Sequence, residues 1–227
     1  MLTDQLSLEV RGVLSQAAGA AGGDHVQRPW RLEVGKQLIA VRLDCVSARR
    51  DPVARAERIA TGAAVLNLRC AAASLSYDTW PDCYPDPHDR GLAVRIVLQP
   101  TALPDQELQD LYAAILTRRL RRPLNLPDPA TRFALERAAE LEHAHLRWFA
   151  RSDRPLAVLS TDRNDAADQI RTGMALQRVL LTALAHDVRT TCLNPTLIRF
   201  GGPAAETDTP MTTLAPRTTS SRTTDTP

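Results

Sequence analysis

From Met174 to Ala185 the chain reads MALQRVLLTALA, apolar on nearly every side and interrupted only by Gln177, Arg178 and Thr182. A run of that kind without proline forms a helix, and a helix apolar all round has to be covered on all sides. Asp165 is placed to cap its start, and Asp168 sits where the positive end of the helix dipole favours an acid. The helical pattern stops at the β-branched run Val188-Arg189-Thr190-Thr191. Residues 165–188 are therefore expected to be the buried spine of a layered domain.

Residues 59–77, IATGAAVLNLRCAAASLSY, have the same character. Laying Gly62 on Gly173 also matches Ala64 with Ala175 and Ala72 with Ala183, the pattern of two related halves 111 residues apart. Any two Ala-rich buried helices would align about this well, so the sequence leaves both readings open.

With 227 residues, 44% of them hydrophobic, the chain can bury a substantial core as one large domain or two small ones. It has no apolar run of the length a membrane span needs, and MLTDQLSLEVRG has neither a basic leader nor an apolar signal core. A cytoplasmic protein without a membrane partner is expected. Cys45, Cys70, Cys83 and Cys192 are scattered, without CxxC pairs, which fits free thiols in a reducing compartment. Lys36 is the only lysine, so 27 of the 28 basic residues are arginine, yet acids are interspersed almost everywhere and the net charge is only +2. That is not the concentrated basic face of a nucleic-acid binder.

Taken in order, residues 4–21 carry an apolar stripe (Leu6, Val10, Val13, Leu14, Ala17) and predict an amphipathic helix ending at Gly22-Gly23. A loop to Trp30 leads into strands at 30–34 and 38–43 about a Gly35-Lys36-Gln37 turn. After the long helix ending near Tyr77, YDTWPDCYPDPHDRG reads as a Pro- and Asp-rich loop, followed by a strand over 92–98. Pro104 and Asp105 open a helix through Arg119, and a further helix is expected over 129–141. Strands at 145–149 and 155–160 precede the spine, and a single short strand falls within 191–200. Residues 201–227 hold nine Thr and four Pro with almost no large apolar side chain, so a disordered tail is expected there, leaving one domain over 1–200. The fold class this implies is α+β, a mixed sheet sandwiched by helices.

Four segments in this order resemble a known family. AGGDHVQRPW, GAAVLNLRCAAASLSY, ILTRRLRRPL and LAVLSTDRNDAADQIRTGMALQRVLLTALAHDV look like the corresponding segments of the Acg-type, FMN-binding members of the nitroreductase superfamily, over about residues 8–198. The family's loop usually reads like APSVHNTQPW, so His25, Pro29 and Trp30 match in place while Val26, Gln27 and Arg28 depart. Its basic motif reads like RRRTDRRPF; the arginines and Pro123 match, Arg119 stands where Ser or Thr is expected, and Leu124 replaces Phe. The resemblance implies a nitroreductase-like fold of two fused, pseudo-repeated halves that holds FMN. Active relatives use NAD(P)H to reduce the flavin and then pass electrons to a nitroaromatic or quinone. The oxidoreductase is the leading expectation; the alternative is a non-catalytic FMN-binding or flavin-storing protein, or a degenerate remnant of the family. Against the family the chain is shorter between Phe149 and Leu156 and after Phe200. That leaves three expectations: an open site, a site completed from a second subunit, or a degenerate protein that no longer binds FMN. The expected assembly is a monomer of fused halves or a homodimer.

FMN requires charge against a phosphate dianion, a slot for a flat ring system, and hydrogen bonds to the ring's polar edge. Arg118, Arg119, Arg121 and Arg122 are the candidate phosphate ligands, because guanidinium forks pair bidentately with phosphate. Standing alone, the same run reads as a solvated basic face complementing a helix end. His25, Gln27 and Arg28 are candidates for the ring carbonyls, with Pro29 and Trp30 beneath; without the resemblance, Trp30 is simply core. No catalytic acid or nucleophile is required, since the cofactor carries the chemistry. Glu140, Glu142, His143 and His145 straddle a helix end and a strand, which suits local surface chemistry better than a metal.

Overall fold

A computed structural model of the chain describes residues 6–21, 28–43, 52–118, 125–149, 155–194 and 197–200. The elements are α1 (Leu8–Gly19), β1 (Trp30–Val34), β2 (Leu38–Leu43), α2 (Pro52–Ser74), β3 (Tyr77–Cys83), β4 (Leu92–Pro100) and α3 (Gln106–Thr117), then α4 (Pro129–Glu140), β5 (His145–Phe149), β6 (Leu156–Ser160), α5 (Ala166–Ala185), β7 (Thr190–Asn194) and β8 (Leu197–Phe200). The expected N-cap forms, Asp165 accepting from the Asp168 amide at 2.8 Å, and Asp105 caps α3 in the same way, accepting from the Leu108 amide at 3.1 Å. Asp128 accepts from the Thr131 amide at 2.7 Å, with Pro129 in the first turn where its missing N–H is harmless.

The fold is α+β, with the strands divided between two four-stranded antiparallel sheets, ordered β1-β2-β4-β3 and β5-β6-β8-β7. Each half thus runs helix, hairpin, long helix, hairpin, with the same strand order, and α3 is inserted between them and lies against both α2 and α5.

The equivalence extends to single residues at the offset of 111 read from the sequence. Arg58 Nη1 donates to Gln169 Oε1 at 2.9 Å, a pair 111 apart. Thr61 Oγ1 returns a bond to the Glu57 carbonyl and Thr172 Oγ1 one to the Asp168 carbonyl, both at 2.8 Å. Ser76 and Asp187, just beyond α2 and α5, both adopt left-handed backbone (φ 62° and 53°), the geometry that closes a helix end. Of the two readings left open by the sequence, related halves is the one the structure favours.

The spine α5 is buried on both sides. Ile170, Met174, Leu181 and Leu184 join the core formed by α1, α2, α3 and the first sheet. Ala175, Leu176, Val179 and Ala183 join a second core with α4 and the second sheet. Burial from opposite directions is why its sequence shows no polar stripe.

Two expectations are corrected. The Pro- and Asp-rich stretch after Tyr77 begins with strand β3, fully registered on β4 from Tyr77↔Pro100 to Cys83↔Val94. Pro81 is tolerated because β3 is an edge strand, where a missing N–H need not break a ladder. The single strand expected within 191–200 is a pair, β7 and β8, with Thr190 opposite Phe200. The expected tail at 201–227 lies outside the described residues.

Candidate functional site

Of the residues expected to contact a cofactor, His25, Gln27, Arg119, Arg121 and Arg122 lie outside the described residues. Arg28, Pro29 and Trp30 are held together at the start of β1. The Arg28 guanidinium carbon stands 5.9 Å from the Trp30 ring centroid, within cation–π range. The same guanidinium lies against the end of α1, since a Cβ placed on Gly19 would come 2.6 Å from its Nη2. A helix C-terminus carries negative partial charge, so the position suits a cation. Trp30 is 9% exposed and belongs to the first core, so it backs this corner and leaves Arg28 as the exposed group.

Arg118, the residue following α3, is felt at a different place. Cys192 of β7 is exposed, yet partial desolvation by its neighbours lifts its thiol above its ordinary value, and the Arg118 charge opposes that shift. Arg28 is held in the first half, and Arg118 follows α3, which lies against both α2 and α5.

Sequence reasoning missed a second constellation. A cavity of about 320 Å³ is lined by His143, Asp162, Arg163, Asp168 and Arg171. Three pieces of the second half build it. His143 comes from the turn after α4, in left-handed backbone (φ 57°) where the helix is closed by the bond from the Ala144 amide to the Ala139 carbonyl. Asp162 and Arg163 come from the β6–α5 connection, and Asp168 and Arg171 from the first turns of α5. His143, Asp162 and Arg163 are exposed and form the mouth, while Asp168 is buried beneath them. Arg171 Nη1 donates to Asp168 Oδ1 at 2.6 Å, and Asp168 Oδ2 is buried without a hydrogen-bond partner. The acid at the equivalent place in the first half, Glu57, likewise has a buried oxygen, Oε2, without a partner. The signal for this cavity was present as an Asp and an Arg three apart opening an otherwise apolar helix, but Asp168 has an ordinary reading as a dipole partner.

Beside the cavity lies a buried ionic network. Glu142 Oε1 accepts from Arg178 Nε at 2.9 Å and from Arg69 Nη1 at 2.8 Å, and Arg69 Nη1 also reaches Oε2 at 2.8 Å. Arg178 and Glu142 are 3% and 4% exposed, so this acid is a structural clamp joining α2, α5 and the turn after α4. Asn67, 111 before Arg178, plays the matching part in the first half by donating to the Ala17 carbonyl of α1 at 2.9 Å. Burial pushes the Cys70 thiol up to about 12 and the Cys83 thiol to about 11, which keeps both protonated and unreactive at neutral pH.

No protein-family model and no curated protein matches the chain. Among solved structures it is similar to a Thermotoga maritima protein described as a candidate nitroreductase, at 11% identity and a TM-score of 0.45, over 88% of this chain and 86% of that one. Likeness at that level carries no argument about activity. Among the described residues, no helix is long and apolar enough to cross a membrane.

Proposed function

We propose that the protein is an FMN-binding oxidoreductase of the nitroreductase-like, Acg type, using NAD(P)H to reduce the flavin and a nitroaromatic or quinone as acceptor. The observation that carries this reading is the pair of halves repeated at an offset of 111, the organisation that the motif resemblance implies. Arg28 fits the cofactor's needs: it is exposed, fixed between the end of α1 and the Trp30 ring, and presents donors suited to a ring carbonyl or an anionic ring edge. Arg118 and the arginines that follow it are the proposed phosphate ligands, by charge-assisted hydrogen bonds each worth roughly 1.5 to 3 kcal/mol. When bound, the flavin supplies hydride acceptance and electron delivery; the protein supplies position and charge.

The test is the visible absorption spectrum of the purified chain before and after incubation with FMN, followed by addition of NADH or NADPH without oxygen. Flavin bands that co-purify or are taken up, and that bleach with the nicotinamide, are the expected result. Colourless protein that takes up no FMN overturns the proposal, and bound flavin that never bleaches selects the storage alternative.

A further inference from the structure

Asp168 is 6% exposed, it lines the cavity at the start of α5, and one of its carboxylate oxygens accepts no hydrogen bond. An unsatisfied buried acceptor of this kind is destabilising and calls for a donor. The rest of the lining decides which donor. Arg163, Arg171 and the N-terminal end of α5 oppose a simple cation, whereas Asp162 and Asp168 oppose a simple anion. The formal charges of the two arginines and two aspartates cancel, so the cavity favours a molecule that carries both signs itself. Its volume of about 320 Å³ is at the low end of the roughly 300 to 1,000 Å³ of small-molecule sites and suits a compact ligand.

From this arrangement we infer that the cavity binds a small zwitterion of the α-amino-acid class, its ammonium group against Asp168 and its carboxylate between Arg163 and Arg171. The Asp168–Arg171 bond positions the two charges side by side, on adjacent turns of one face of α5. The free Asp168 oxygen is itself enclosed and the other is bonded to Arg171, so the ammonium is admitted only as Arg171, whose side chain is 39% exposed, turns towards the mouth, where its fork meets the ligand carboxylate. Arg163 stands at the rim, its backbone held by the Thr161 hydroxyl bond to its carbonyl at 2.9 Å and its side chain exposed. This site is separate from the Arg28 corner and independent of flavin.

The experiment is a titration of the ¹⁵N-labelled full chain, without flavin, by L-alanine, propionate and ethylamine, followed by amide NMR shifts. L-Alanine is expected to give saturable shifts at Arg163, Asp168 and Arg171, with propionate and ethylamine each about tenfold weaker or more, the equivalent of one charge-assisted hydrogen bond. Arg163→Gln, at an exposed position that leaves folding intact, should weaken L-alanine by about the same factor. Absence of saturable shifts with L-alanine overturns the inference. So does propionate or ethylamine binding as tightly as L-alanine, or an unchanged affinity in Arg163→Gln.

Discussion

Gly62 and Gly173 lie at the crossing of α2 and α5, and each fills the place where the other's side chain would be. A Cβ on Gly62 would be 2.9 Å from the Gly173 α-carbon and inside contact distance of the Ile170 carbonyl oxygen; a Cβ on Gly173 meets the Gly62 α-carbon at 2.9 Å and the Ile59 carbonyl in the same way. Each obstructing carbonyl is three residues before the opposite glycine, so the contact is twofold in character. Glycine within a helix is destabilising by about 1 kcal/mol relative to alanine, and here close approach of two backbones outweighs that.

Gly62→Ala and Gly173→Ala should each therefore destabilise the fold, by about 1 to 3 kcal/mol or more, because the obstructing atoms are backbone and cannot rotate away. Gly12→Ala in α1, where a Cβ would meet nothing within 4 Å, should instead stabilise by about 0.5 to 1 kcal/mol. Urea denaturation of the three variants checks this. Equal stabilities for Gly62→Ala and Gly12→Ala would remove the crossing.

That relationship was partly legible in the sequence, where Gly62 over Gly173 gave the correct offset from three matched positions. What decides it, the paired Thr61 and Thr172 back-bonds and the shared backbone geometry of Ser76 and Asp187, uses residue types too common to count as a signal. Helix starts were readable because Asp105, Asp128 and Asp165 cap locally. β3 was not, because Pro81 is permitted only by an edge position that depends on the order of the whole sheet. The cavity was hidden for a related reason: His143, Asp162 and Asp168 meet only once α4, β6 and α5 have packed, and each has an ordinary local role.

Glu142→Gln should be far more damaging than its modest change in shape suggests. It leaves the largely buried Arg69 guanidinium without a counter-charge and the buried Arg178 guanidinium with only the exposed Glu107 carboxylate at 3.6 Å, a loss on the order of 3 to 5 kcal/mol. Replacing Arg69, Glu142 and Arg178 together by apolar residues of similar size should recover much of it, since the triad's own desolvation disappears. Denaturant midpoints of the single and triple variants make the comparison, and a single variant as stable as the parent would show the network to be idle.

Acid sensitivity should be traceable to named carboxylates. Hydrogen bonds from the Thr131 side chain and amide hold Asp128 below its ordinary value, and the Arg42 guanidinium does the same for Asp89. A depressed folded-state value means that the stabilisation is fully present above the unfolded value of about 3.9 and is lost as pH falls through the folded value. Stability should thus fall below about pH 4. Asp128→Asn, which keeps a capping oxygen but does not titrate, should flatten that fall; thermal melts between neutral and acidic pH that show the same slope in both proteins would rule Asp128 out as a contributor.

Arg28→Gln provides the sharpest test of the flavin reading at the level of one side chain. The substitution keeps a donor at the place where the family loop has a neutral one, but removes the positive charge now held over Trp30 and against Gly19. If that charge faces the flavin, it stabilises the reduced, anionic ring edge, and the variant's bound flavin should have a lower reduction potential with FMN still taken up. A shift of about 30 mV corresponds to ~1.4 kcal/mol for two electrons, within reach of one partly screened charge. Because Arg28 is exposed, the variant should fold, and circular dichroism verifies that separately. An unchanged potential in a folded, flavin-loaded variant would place the cofactor away from the β1 corner.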